Sequence, residues 1–168
     1  SVTENPTRFT MGTEEGISAH KWISTKNATS GQVIDGFALS GYDTTIDLPS
    51  GESNPCPAKN LYINGGNCVC DAALSNTVMT GCAAVNLTAS GTHPNVRLLS
   101  MTGTVAIAGM LSDSYINACT GLLTVGTLTG SYVMRGGAVT VTNMNGSMIH
   151  TCTGNVTISG AVSDNSGT

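Results

Sequence analysis

Residues 114–163 contain three consecutive lines of one pattern: SYINACTGLLTVGTLTG over Ser114–Gly130, SYVMRGGAVTVTNMNG over Ser131–Gly146, and SMIHTCTGNVTISGAVS over Ser147–Ser163. Each line has a short apolar run, a glycine-centred turn, a run in which apolar residues alternate with threonine, and a small polar residue or glycine. A fixed period near 17 residues with this β-type content is typical of a β-solenoid, in which stacked repeats share one core.

The pattern extends towards the N-terminus. Leu61–Ser75, Asn76–Ser90 and Asn95–Ser112 follow the same outline, and Asp35–Gly51 fits it as a degenerate first rung. The sequence therefore predicts an all-β protein whose residues 35–168 form a short β-solenoid of about six to seven rungs.

The alternating run of each repeat separates inward from outward side chains. Val139 and Val141 are predicted to point inward, whereas Thr124, Thr140 and Thr157 align in one outward column. The glycine of each turn is predicted to supply a positive φ at a corner of the rung. These glycines are Gly66, Gly81, Gly103, Gly121, Gly137 and Gly154.

Residues 1–34 have no period and are predicted to form an irregular N-terminal arm or cap. The candidate apolar anchors of this arm are Phe9, Ile17, Trp22 and Ile23. They would dock the arm on a partner, or Trp22 would plug the open end of the solenoid. Glu52–Asn60 is predicted to be a loop, because its two prolines remove donors from a strand ladder.

Charge is scarce along the whole chain. Only 10% of the residues are charged, and the formal net charge is −4. Six scattered basic residues do not form the basic patch that phosphate binding requires, so we expect no nucleic-acid partner. No run approaches the ~18 apolar residues of a membrane span, so we expect no membrane partner.

Such a surface favours a chain that is packed against copies of itself or held in a large assembly, because soluble monomers ordinarily keep more charge. A rung of this length encloses only a thin core. Two arrangements therefore remain open: a two- or three-sided solenoid made by one chain, or three chains along a common axis. We expect a homotrimer.

The cysteines are the first candidates for chemistry: Cys56, Cys68, Cys70, Cys82, Cys119 and Cys152. The first four lack the paired C-x2-C knuckles of a zinc site, so disulfide bonds are expected before a metal. Cys119 and Cys152 are expected in one column two rungs apart, with Arg135 between them. That separation of about 9.6 Å exceeds the disulfide limit, so they would be small buried residues or cross-links to another protein or copy.

The remaining titratable side chains show no catalytic pattern. The histidines are His20, His93 and His150, and they match no metal-binding spacing. His93 lies in the insertion Gly91–Asn95 and is expected in a loop. The repeat-region acids are Asp71, Asp113 and Asp164, which fall in different rungs, whereas hydrolysis needs two carboxylates roughly 5–10 Å apart. We expect a non-enzymatic protein with no catalytic residue, metal or cofactor.

The charge-poor solenoid over Gly36–Ser163 is similar in general type to the β-rich decoration or cement proteins of tailed-phage capsids, and to short phage spike and fibre modules. The resemblance implies a structural protein located in the virion, assembled as trimers at local threefold sites of the capsid. It also implies that the arm grips the major capsid protein or another virion protein. By this resemblance Phe9, Trp22 and Ile23 would be arm anchors, and Cys56, Cys119 and Cys152 would be cross-linkers.

Two other functions remain open. One is an adhesin or tail-fibre tip on a virion or extracellular surface, which recognises a host glycan or protein through the insertion Gly91–Asn95. That insertion has no aromatic residue, whereas Tyr42, Tyr62, Tyr115 and Tyr132 align with strand positions. The other is ice binding through aligned threonine columns. This function would require a regular T-x-T pattern, and most rungs lack its second threonine.

Overall fold

The computed structural model describes residues 10–12, 20–24, 33–41, 43–47 and 57–163, and their regular structure is entirely β-strand. No described segment forms a helix that could cross a membrane. The strands are β1 Thr10–Gly12, β2 His20–Ser24, β3 Ile34–Asp35, β4 Ala38–Ser40, β5 Asp43–Asp47, β6 Ala58–Lys59, β7 Tyr62–Asn64, β8 Asn67–Cys70, β9 Leu74–Ser75, β10 Thr77–Thr80, β11 Ala84–Leu87, β12 Thr92–Pro94, β13 Val96–Leu99, β14 Val105–Ser112, β15 Tyr115–Asn117, β16 Leu123–Thr129, β17 Tyr132–Met134, β18 Val139–Asn145, β19 Met148–His150, β20 Val156–Ile158 and β21 Val162–Ser163.

These strands wind into a parallel β-solenoid, which confirms the predicted fold class. A seven-stranded sheet has the order β4-β7-β10-β13-β15-β17-β19, and an eleven-stranded sheet contains β1-β2-β5-β8-β11-β14-β16-β18-β20 with β12 and β21 beside β14 and β18. A three-stranded sheet has the order β3-β6-β9. Successive strands from β7 to β19 are offset by 16, 19, 18, 17 and 16 residues, which confirms the period near 17.

Each coil has three sides, and one chain makes all of them. The third side begins with β3, β6 and β9 and continues through β12 and the C-terminal halves of β14, β16 and β18. Those three long strands run around a corner, where the ladder shifts register between Ile107 and Met110. The three sides of each coil are therefore supplied by one chain, as in the first of the two arrangements open from the sequence.

The core is a stack of aliphatic side chains between the three sides. Strand β14 alternates buried and more exposed residues, as its period of two requires. Val105, Leu123 and Val139 follow one another in register, and each is almost completely buried. Burying one such side chain contributes about 1.5–3 kcal/mol, so the column stabilises every coil against its neighbours.

One corner of the solenoid is built from residues with a left-handed backbone. The column that precedes the seven-stranded sheet is Gly36, Asn60, Asn76, Asn95, Asp113, Gly130 and Gly146, and every member has a positive φ. Asn95 Nδ2 donates to Asn76 Oδ1 over 2.7 Å, Asn76 Nδ2 donates to Asn60 Oδ1, and Asn60 Nδ2 donates to Asp35 Oδ1 over 2.8 Å. Asparagine suits this corner because it tolerates the left-handed region and its amide can bond to the next coil.

The serine that opens each repeat line lies directly after this corner, inside the solenoid. Ser114, Ser131 and Ser147 are buried. The N–H of Val96 donates to Ser114 Oγ, that of Ser114 to Ser131 Oγ, and that of Ser131 to Ser147 Oγ, each over 3.0 Å. Because every hydroxyl oxygen has a partner, the polar column can be buried without an unpaired group.

The role predicted for the turn glycines needs correction. Of the six, only Gly66 and Gly81 have a positive φ. The positive φ at the corner between β17 and β18 belongs to Arg135, and the corresponding residues one and two coils earlier are Ala118 and Ser100. The later glycines are required because neighbouring coils leave no room for a side chain. A Cβ at Gly121, for example, would lie 2.2 Å from the Gly103 carbonyl oxygen.

The expected arm is described only in part. Its strands β1 and β2 pair antiparallel, and β2 adds to the solenoid in parallel with β5, with Trp22 opposite Thr45 and Ile23 opposite Ile46. The anchor candidates Phe9 and Ile17 lie outside the described residues. The loop predicted for Glu52–Asn60 needs correction at its end, where Ala58–Lys59 forms β6.

Candidate interaction surfaces

The outer side of the seven-stranded sheet carries three tyrosine side chains, those of Tyr62, Tyr115 and Tyr132. One outward column, in register, is Ala38, Tyr62, Val78, Arg97, Tyr115, Tyr132 and Met148. A second column is Ser40, Asn64, Thr80, Leu99, Asn117, Met134 and His150. Tyr62 is 44% exposed and Tyr132 51% exposed. We call this surface, made by the outward residues of β4, β7, β10, β13, β15, β17 and β19, the tyrosine face.

Contacts between coils hold several of these side chains in place. The Tyr115 hydroxyl donates to Met134 Sδ over 2.9 Å, one coil further on. Arg135, at the end of β17, donates from Nε to Asn117 Oδ1 over 2.8 Å. Side chains that are already ordered lose less conformational entropy when a partner binds. Binding at this surface would therefore have a smaller entropic cost.

The strands of the tyrosine face contain one charged residue, Arg97, and the corners beside the face contain charges of both signs, with Asp113 before β15 and Arg135 after β17. Arg97 projects from the face and Arg135 borders it, and they are the two basic residues of the sequence after Lys59, apart from histidine. None of its seven strands contains an aspartate or a glutamate. Tyrosine, arginine and methionine are enriched where proteins bind one another. The tyrosine face therefore has residue types that are common in protein–protein interfaces.

The outer side of the eleven-stranded sheet has a different chemistry. Its central outward column is Thr45, Val69, Asn86, Ala106, Thr124, Thr140 and Thr157. The predicted alignment of Thr124, Thr140 and Thr157 is confirmed by this register. We call this surface the threonine face. Its central column is uncharged and most of its side chains are small, and the aspartates Asp43 and Asp71 flank that column on β5 and directly after β8.

The disulfide bond that the sequence led us to expect is not formed among the five described cysteines. Cys68 and Cys70 both point inward from β8, as residues two apart in a strand should. Burial raises the pKa of the Cys68 thiol well above its usual value, and the neighbouring Cys70 and Cys82 raise it further. Burial also raises the pKa of Cys119, to about 11. The remaining cysteine, Cys56, lies outside the described residues.

Cys119 and Cys152 do occupy one column two coils apart, but the residue between them is Gly136 and not Arg135. The N–H of Gly137 donates to the Cys119 carbonyl and that of Thr153 to the Gly136 carbonyl, which sets this register. A Cβ at Gly136 would lie 3.4 Å from Cys152 Sγ, so the absence of a side chain leaves room for the thiol. Cys119 is buried and Cys152 half-buried, which leaves Cys152 the more accessible of the two.

The titratable residues remain dispersed where the structure describes them. His93, expected in a loop, lies in β12 and is completely buried, because the insertion Gly91–Asn95 forms a third side of its coil. His150 Nδ1 lies 2.9 Å from Thr151 Oγ1. The Asp71 carboxylate accepts a hydrogen bond from Thr88 Oγ1 over 3.0 Å, whereas Asp164 lies outside the described part of the chain.

Within the described ranges, no three His, Cys, Asp or Glu side chains converge as a metal site would require. His20 belongs to β2. The chain was also compared with known proteins: no protein-family model, no curated protein and no solved structure matches it.

Proposed function

We propose that this chain is a non-enzymatic structural protein of a virus particle, of the capsid decoration or cement type. The observation that carries the proposal is the presence of two outer surfaces with distinct chemistry, the tyrosine face and the threonine face, on one solenoid. A protein that stabilises a shell must bind more than one neighbour at the same time, and two such surfaces supply two contacts.

The threonine face is assigned to contacts between copies. An interface around a threefold axis brings equivalent residues close together, so a charged column there would repel itself. The central column of the threonine face has no charge, and Asp43 and Asp71 beside it are confined to the N-terminal coils, whereas Arg97 lies in the middle of the tyrosine face. The homotrimer expected from the sequence is therefore proposed to form through the threonine face.

The tyrosine face is assigned to the major capsid protein or another virion protein. Its exposed rings offer a large contact area at low entropic cost, and Arg97 and Arg135 suit an acidic partner. The arm would add contacts through Phe9, Ile17, Trp22 and Ile23. Cross-links are assigned to Cys152 or to Cys56, because the other four thiols are buried.

A second candidate function is a receptor-binding adhesin or tail-fibre module, and the exposed rings of Tyr62 and Tyr132 favour it. For this second function, the proposed binding site is the tyrosine face and not the insertion Gly91–Asn95 expected from the sequence. The insertion forms strand β12, and its histidine is buried in the core.

The test is binding of the full chain to purified particles that lack it. Wild-type protein should saturate discrete sites and raise the temperature at which the particles rupture. Arg97→Glu should weaken binding about tenfold or more, because an acidic partner would then face a like charge. Lys59→Glu is the matched control: it makes the same change in net charge on the third side and should bind like wild type.

Failure of wild-type protein to bind particles would overturn the proposal. Binding to host cells instead, with loss of binding in the Arg97→Glu variant, would support the adhesin.

A further inference from the structure

The corner at which the tyrosine face ends carries residues that its backbone does not favour. Every member of this corner column has a positive φ, and the members are Gly41, Gly65, Gly81, Ser100, Ala118, Arg135 and Thr151. The last four are neither glycine nor asparagine, whereas the corner before the seven-stranded sheet uses glycine, asparagine and aspartate for the same conformation. Left-handed residues of other types cluster at functional sites, so the side chains of these four are candidates for binding.

Arg135 brings a long, exposed cation to this corner. Its Nε donates to Asn117 Oδ1 over 2.8 Å, so the guanidinium group lies over the preceding coil. The residue beside Arg135 in that coil is Ala118, whose methyl group leaves room for the guanidinium. Among the described residues this bond at Nε is the one that the Arg135 side chain makes, and its two Nη groups remain available to a ligand.

Arg135 also has no acidic partner in the described part of the chain, where the ion pair found joins Lys59 to Asp35. Asp113 borders the tyrosine face too, but it precedes β15 and lies at the opposite corner, whereas Arg135 follows β17. The Asn117 amide nitrogen lies next to the guanidinium group, since the amide oxygen accepts the Nε–H. This corner therefore places a positive charge beside an amide donor, and no described carboxylate neutralises the charge.

We propose that Arg135 and Asn117 form a binding site for a carboxylate, supplied by an acidic side chain of the protein that the tyrosine face binds. The two Nη groups form a planar fork that can donate to both oxygens of a carboxylate, and Asn117 Nδ2 adds a third donor. Asn117 is also a positioning residue, because its bond to Nε fixes the direction of the fork. The source of the carboxylate rests on the proposed function, whereas the site itself rests on the geometry of the corner.

The surroundings of the site favour a peptide over an acidic saccharide. Met134 and Tyr115 lie beside it, and the Tyr115 hydroxyl already donates to Met134 Sδ. A saccharide brings hydroxyl groups that need acceptors as well as donors, whereas a carboxylate needs donors alone. Methionine, tyrosine and arginine are together typical of surfaces that bind proteins.

The test is an NMR titration of the full-length protein with a short polyglutamate peptide at low ionic strength, where charge pairs are least screened. The signals of the Arg135 Nε–H and of the Asn117 side-chain amide should both shift. Arg135→Lys keeps the charge but lacks the planar fork, so it should weaken binding about fivefold or more. Asn117→Leu also keeps the charge and loses the bond that orients the fork, so it should weaken binding about threefold.

Further variants separate the site from net charge and from folding. Lys59→Gln is the matched control for Arg135→Gln: it removes a positive charge from the third side and should bind like wild type, whereas Arg135→Gln should lose the peptide. Arg135→Asn should lose the peptide as well, yet fold as stably as wild type, because asparagine tolerates the φ of 53° at this position. Thermal unfolding checks the stability of each variant.

Unshifted signals of Arg135 and Asn117 in the wild-type protein would overturn the proposal, and so would equal affinities of wild type and Arg135→Asn. A stronger response to an oligogalacturonate of equal charge would overturn the peptide source and assign the site to an acidic saccharide. The titration uses no virus particles, so its failure and the failure of the particle-binding experiment are separate results.

Discussion

His93 Nδ1 accepts a hydrogen bond from the backbone N–H of Leu74 over 2.9 Å, inside the core of the solenoid. The acceptor must be unprotonated, so the proton of the neutral ring is on Nε2, which has no hydrogen-bond partner in the described structure. Burial lowers the pKa of His93, and the backbone of Ala89 opposes this shift. The His93 side chain thus acts as the acceptor for the Leu74 N–H in place of a backbone carbonyl. In the next coil, the residue in register with His93 is Leu111.

The first prediction concerns pH. Because the pKa of His93 is lowered from 6.5 in the folded protein, the unfolded chain binds the proton first as the pH falls. Its contribution to stability is therefore complete above about pH 6.5 and is lost as the pH decreases towards the folded-state pKa. Urea titrations at several pH values should show wild-type unfolding free energy falling over this window, with a smaller fall for His93→Asn.

The control for His93 separates titration from hydrogen bonding. Asparagine keeps an acceptor for the Leu74 N–H, whereas His93→Leu leaves that buried donor unpaired and should cost about 1–3 kcal/mol at neutral pH. An unchanged pH profile in the Asn variant would contradict a titrating role for His93.

The second prediction concerns the asparagine corner. Asn76 has a φ of 49° and bonds to Asn60 and Asn95 through its side chain. Asn76→Gly keeps the backbone conformation and loses two side-chain bonds of about 0.5–1.5 kcal/mol each, so it should cost about 1–3 kcal/mol. Asn76→Ala loses the same bonds and, unlike glycine or asparagine, alanine tolerates the left-handed region poorly, which should add about 1 kcal/mol. Denaturant midpoints measure both, and equal losses would show that the φ value is not limiting.

The third prediction concerns close packing between coils. Gly121→Ala would place a Cβ 2.2 Å from the backbone oxygen of Gly103, and backbone cannot move aside as a flexible side chain can. We expect a loss of about 3 kcal/mol or more in the free energy of unfolding. Gly91→Ala is the control, because nothing lies within 4 Å of the added methyl group and its φ is not left-handed. Thermal unfolding compares the two, and similar melting temperatures would refute the packing argument.

The fourth prediction concerns thiol reactivity. With its pKa raised to about 11, Cys119 is about one part in a thousand thiolate at pH 8, and it is also buried. Cys68 and Cys82, whose pKa values are raised by burial too, should be similarly slow. Site-resolved mass spectrometry after brief alkylation of the native protein should find Cys152 modified faster than Cys68, Cys82 and Cys119. Equal rates for these four would contradict the burial of the three core thiols.

The candidate surfaces were only partly predictable. The tyrosines could be placed on strands from their position in the repeat, and the dipeptide Ser-Tyr at 114–115 and 131–132 shows why: the serine is inward, so the tyrosine points outward. That Arg97 belongs to the same column could not be predicted, because its repeat begins after the insertion Gly91–Asn95. The number of residues in each corner decides which side chains meet, and the sequence pattern does not specify that number.

By itself the sequence determined the β-solenoid, its period and the inward or outward direction of residues such as Val139 and Thr140, because these follow from alternation along a single strand. Only the tertiary structure decided the register between coils, which placed Gly136 between Cys119 and Cys152 and His93 in the core. Register depends on hydrogen bonds between residues about one coil apart, and a shift of one residue turns a side chain to the opposite face.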